Sequence, residues 1–142
     1  MRATRIAPAD SPGSSLFKAP RAVKPRRTIG RNPRQSDAEH LEAIRQCPCL
    51  RCGQDPCGEA AHVRMGSHAG MGRKPDDSAT VPLCHGCHMD QHAVGELSFW
   101  DVVGIAPLTV AASLWRLSAN IEAMRAACFV AIGFARNGRE QE

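Results

Sequence analysis

The sequence predicts an α+β fold: a short strand–loop–strand–helix unit clamped at its base, helices flanking it, and a basic disordered tail at the N-terminus. Three observations predict it. Two Cys-x-x-Cys pairs, Cys49–Cys52 and Cys84–Cys87, bracket a stretch dense in Cys, His, Gly and Pro. Apolar residues recur at helical spacing on both sides of that stretch. Basic charge gathers ahead of it: residues 1–36 hold nine basic groups against Asp10 alone, a net of +8, while residues 37–142 hold nine against 13 acidic ones, a net of −4.

A chain of 142 residues has room for one modest domain plus tails. Hydrophobic residues make up 43%, enough for a core, but aromatics only 4% with no Tyr, which argues against an aromatic-rich sandwich or a Tyr-rich binding surface. No apolar run reaches the ~18 residues of a membrane span. No apolar stretch follows the first basic residues, so a secretory signal is not expected. The expectation is a soluble, cytoplasmic chain with no membrane partner. Seven cysteines in such a chain argue for metal before disulfides. Cys128, alone in an apolar stretch, is expected as a buried thiol.

Residues 1–36 carry five of the ten prolines and little apolar periodicity, which predicts disorder. Such a tail can add salt-dependent affinity for phosphates; its plain alternative is a solvated leader. Ser36-Asp37 offers an N-cap for a helix over 37–46, with Ala38, Leu41 and Ile44 at helical spacing. Strands are expected over 60–64 and 79–83. The loop between them holds Gly66, Gly70, Gly72 and the Arg73-Lys74 pair. The segment 85–94 reads as a helix that Gly95 terminates. Leu97, Phe99, Trp100 and Val103 suit a short helix closed by Gly104. Pro107 suits the first turn of the next, with Leu108, Ala111, Leu114 and Trp115 on its apolar face. After a break near 118–120, a last helix runs to about 135, and 137–142 is a tail. The expected division is a tail over 1–36, a finger over 37–95 and packing helices over 96–136, with Trp100 and Trp115 joining the helices to the finger.

Each Cys-x-x-Cys pair sets two thiolates one turn apart, able to share a tetrahedral ion. Two such pairs make a four-cysteine structural zinc site of Cys49, Cys52, Cys84 and Cys87. Thirty-one residues separate the pairs, so the ion would clamp the base of a long excursion. Cys47 and Cys57 are weaker candidates, since neither has a Cys-x-x-Cys partner. His88 and His92, four apart on the expected helix, place both imidazoles on one face, where they can bind a metal of their own or complete a mixed site with Cys49 and Cys52.

The run from Cys49 to His92 resembles the HNH endonuclease superfamily, the ββα-metal finger. The matching text is C-L-R-C-G, A-A-H-V, then V-P-L-C-H-G-C-H-M-D-Q-H. The stretch from A-A-H-V-R-M through G-R-K-P-D-D to G-E-L-S-F-W further resembles a phage and prophage branch that includes relatives of the recombination enhancement function nuclease. The resemblance spans roughly residues 38–117. It implies a metal-dependent DNA endonuclease, a hydrolase of phosphodiester bonds, with DNA as partner and a recombination or phage protein as a further one. In that reading His62 is the general base. His88 and His92 hold a catalytic divalent metal (Mg²⁺, Mn²⁺, Ni²⁺ or Zn²⁺). Arg64, Arg73 and Lys74 contact the phosphate backbone. The chemistry is consistent, since hydrolysis needs a base for water and a cation for developing charge, and imidazole is a near-neutral base.

Two positions depart from the superfamily pattern. Asp or His often precedes the catalytic His as a metal ligand; here that residue is Ala61. Glu59, Asp76 or Asp77 can compensate, or His62 itself can bind the metal. The central Asn of the motif is not evident, and Asp77 stands in that region, where it can orient His62 or simply stabilise the loop. The alternative function is a catalytically silent zinc module that binds nucleic acid. A zinc protein serving only a protein partner fits the cysteine clamp but not the histidines.

Overall fold

The structure, a computed structural model, describes residues 33–140. The tail expected over residues 1–36 lies outside the described residues as far as 32. The chain is mixed α/β, with a two-stranded sheet and five helices among the described residues.

Helix α1 spans Ala38–Arg45, and the Asp37 side chain accepts the His40 backbone N–H at its start, as the Ser36-Asp37 cap predicts. Strand β1 is Gly58–His62 and strand β2 is Thr80–Cys84. They pair antiparallel, with Gly58 opposite Cys84 and His62 opposite Thr80. Both strands are displaced from their expected positions, β1 by two residues and β2 by one. Helix α2 begins at His85, so pairing stops at Cys84 and draws β1 back to Gly58. A 3₁₀ turn over Asp77–Ala79 occupies the expected start of β2; Ala79 N–H donates to Asp76 O, and the Thr80 hydroxyl to Asp77 O. His62 therefore sits at the end of its strand, directly opposite that turn.

All five residues of β2 are buried, because α1, α2 and α4 pack on the hairpin. Pro82 is tolerated there because, among the described residues, no strand continues the sheet past β2. Its carbonyl accepts the Leu50 N–H instead, tying the first cysteine turn to the sheet.

Helix α2 spans His85–Val94 and ends at Gly95. Helix α3 spans Glu96–Val103 and closes on Gly104, whose φ of 72° is the left-handed conformation that glycine adopts without strain. Helix α4, Pro107–Arg116, opens on its proline. Helix α5 spans Ile121–Arg139, with Asn120 as N-cap, and so runs beyond 135 into the expected tail. The apolar pattern fades before the helix does. Arg136 and Arg139 favour the extra turn, since cations suit a helix C-terminus, and Arg139 also donates to Val102 O.

The core joins Ile44 and Leu50, Val63, Val81 and Leu83 of the hairpin region, Phe99, Trp100, Val103 and Leu114, and Met124, Cys128 and Ile132 of α5. Trp100 is buried there, and Trp115 meets the buried His40 of α1 edge-on at 4.7 Å. Trp115 thus ties α4 to α1, and Cys128 is the buried thiol expected. Among the described residues no single helix is long and apolar enough to cross a membrane.

Candidate metal centre and histidine sites

The two cysteine pairs converge. The thiols of Cys49, Cys52, Cys84 and Cys87 all lie within 4.8 Å of one another, a grouping able to hold a metal ion. Cys52 Sγ and Cys84 Sγ are 3.6 Å apart, close to the roughly 3.8 Å edge of a tetrahedron with Zn–S near 2.3 Å. The first pair sits on a tight turn in which Gly53 N–H donates to Cys49 O at 2.9 Å and Gly53 has a φ of 81°. The second straddles the junction of β2 and α2, so Cys87 comes from the first turn of the helix.

The electrostatics match that chemistry. Burial pushes the Cys87 thiol up, and the neighbouring thiols Cys84, Cys49 and Cys52 push it further. Burial also raises Cys52. At Cys49 burial acts upward too, but the backbone groups of Cys52, Cys84 and Arg51 outweigh it and leave the thiol lowered. Four crowded thiols cannot all ionise without a cation among them, and a metal ion such as zinc would supply one. Cys47 and Cys57 stand outside the cluster. Cys57 is buried, donates to Glu59 O at 3.2 Å, and is pushed up to about 12 by burial.

His62, half-buried at the end of β1, places its Nε2 2.8 Å from Asp77 Oδ1. A carboxylate only accepts, so Nε2–H donates and Nδ1 is left as the basic nitrogen. Asp77 is 1% exposed. Burial acts to raise its pKa, but His62, the Asp37 N–H and Arg34 together hold it below the ordinary carboxylate value. Burial lowers His62, with Lys74 and Arg34 acting the same way against the pull of Asp77. Arg34 and Gln35, expected in the tail, are bonded here: Arg34 pairs with Asp77 and donates to Pro75 O, and Gln35 N–H donates to Asp76.

His88 and His92 stack on α2 with ring centroids 4.7 Å apart. Glu59 of β1 bridges to the helix, with Oε2 2.7 Å from His88 Nδ1 and Oε1 2.8 Å from His85 Nδ1. That contact leaves His88 Nε2 for a ligand, the carboxylate–histidine arrangement common around metals. The same bonds lower the pKa of Glu59, first through His88 and then His85. Ala61 is fully buried in the core. Among the described residues the cysteines are the one group of three or more such side chains that converge, so His88 and His92 are not brought within that range of a third ligand.

Arg64 and Lys74 are exposed on the loop after β1, and Arg73 is half-buried. Glu96 anchors the start of that loop by accepting the Arg64 N–H at 3.0 Å and the Met65 N–H at 2.8 Å. Sequence reasoning missed Arg34 and Glu96. Neither lies in the cysteine–histidine text, and their partners are 43 and 32 residues away. Comparison with protein-family models, with curated proteins and with solved structures finds no match for this chain.

Proposed function

We propose that this chain is a metal-dependent DNA endonuclease of the HNH type, with the hairpin and α2 as its ββα-metal finger. The observation that carries the reading is the buried Asp77 carboxylate bonded to His62 Nε2. Such a pair fixes one imidazole tautomer and presents Nδ1 as a base. In this reading His62 Nδ1 takes the proton of the attacking water. Asp77 keeps the ring turned and stabilises it once protonated. His88 and His92 would hold the divalent metal, with Glu59 orienting His88. That metal would supply charge stabilisation at the phosphate and leaving oxygen. Arg64, Arg73 and Lys74 contact neighbouring phosphates. The four-cysteine zinc holds the hairpin to the helix and takes no part in the chemistry.

A second reading, the silent nucleic-acid-binding zinc module, is favoured by one observation. Ala61 is buried, and no third ligand joins His88 and His92 among the described residues. Zinc-loaded protein incubated with plasmid and single-stranded DNA across Mg²⁺, Mn²⁺, Ni²⁺ and Zn²⁺ separates the two. Cleavage abolished by EDTA is expected. Binding without cleavage in every metal would establish the silent module instead.

A further inference from the structure

We propose that Arg34 is a positioning residue for His62: its guanidinium and the imidazole Nε2–H share one oxygen of Asp77, so the segment before α1 holds His62 neutral and correctly turned. The inference rests on the reading of His62 as the base.

Asp77 collects partners on both oxygens. Oδ1 takes Arg34 and His62, and Oδ2 accepts the Asp37 N–H at 2.9 Å. Asp77 N–H donates in turn to Gln35 O at 3.0 Å, and Arg34 Nε to Pro75 O at 2.8 Å. The segment is thus bonded to both sides of the carboxylate. Without Arg34 the imidazole would be the one group bonded to this buried carboxylate that can carry positive charge, which favours a second proton on the ring. Arg34 supplies that compensation permanently, since a guanidinium does not titrate in this range. His62 can then remain neutral with Nδ1 free. The charged groups acting on His62 are Asp77 from the 3₁₀ turn, Lys74 from the loop and Arg34 from the segment before α1. Lys74 is exposed and screened, whereas Arg34 touches Asp77 itself.

The test follows the His62 imidazole by NMR titration in the zinc-loaded full chain, comparing wild type with Arg34→Gln, Arg34→Met and Arg34→Lys. Loss of the charge in Arg34→Gln should raise the His62 midpoint by about one pH unit, and the acid limb of the cleavage profile should move with it. Arg34→Lys should stay near wild type, because it keeps the charge. Arg34→Met answers the same question should the glutamine variant fail to fold. A folded, zinc-bound neutral variant that titrates like wild type overturns the proposal, as does a lysine variant that shifts as far as the neutral ones. The titration needs no catalysis. A wild type that cuts no DNA defeats the proposed nuclease function, and the NMR midpoints still decide whether Arg34 sets the state of His62.

Discussion

Cys84 and Cys87 stand at the start of α2, and His88 and His92 follow within two turns, yet the two pairs meet different surroundings. The cysteines close on a second pair from the Cys49 turn, giving four thiols within 4.8 Å and no room for a further ligand. His88 faces a carboxylate, Glu59, and His92 is exposed. A closed tetrahedral set serves structure, whereas reactive metals keep open positions for water and substrate. The same hairpin therefore carries a thiol set that one ion would saturate and, in the proposed reading, a histidine pair that would leave a second ion open to water and substrate.

The comparison breaks most visibly at the cysteines. Cys84→Ser should lose the zinc and unfold the finger, since bound metal contributes folding free energy directly. Zinc content and far-UV circular dichroism report this together, and a folded, zinc-free Cys84→Ser protein would remove the clamp from the account. Changes on the histidine side should leave the fold standing. His62→Ala should slow cleavage by roughly 10²–10⁴-fold at every metal concentration. His88→Ala should instead lose rate in a way that added metal partly restores. Metal-dependent rescue of His62→Ala would make His62 a ligand rather than a base.

Smaller effects sharpen the same contrast. Asp77→Asn should cost about 1–3 kcal/mol of stability, read from denaturant melts with zinc retained, because it weakens bonds to Arg34, His62 and Asp37 at once. The pH response is smaller still. Burial lowers both His40 and His62 from the ordinary 6.5. The unfolded chain then takes up protons first, so their contribution is complete above about pH 6.5 and is lost as pH falls through their folded values. With excess zinc, Tm should be flat from pH 8 to 7 and decline below; a decline beginning on the alkaline side would refute this. Least of all, deleting residues 1–32 should flatten the salt dependence of DNA binding without moving Tm. Deleting 1–36 should lower Tm as well, since it removes Arg34 and Gln35 from their bonds.

Much of the helical framework is legible because its signals are local. Gly95, Gly104 and Pro107 end or begin helices through their own backbone preferences, and those boundaries fall where expected. Strand limits are less legible. β1 pairs only as far as the helix at His85 permits, and no residue within β1 announces that. Helix α5 outruns its apolar stripe because its last turn is favoured by arginines rather than by burial.

The sequence by itself determined the cysteine clamp, since a Cys-x-x-Cys turn sets its two thiols by local geometry and two such turns satisfy one tetrahedral ion. It also determined the histidine face of α2, which follows from a spacing of four. Only the tertiary structure decided which groups surround those histidines. Glu59 meets His88 across 29 residues, and Arg34 meets Asp77 across 43. Pairings at such separations leave no periodic trace in the chain, because they arise only when the packed hairpin brings distant segments together around a buried charge.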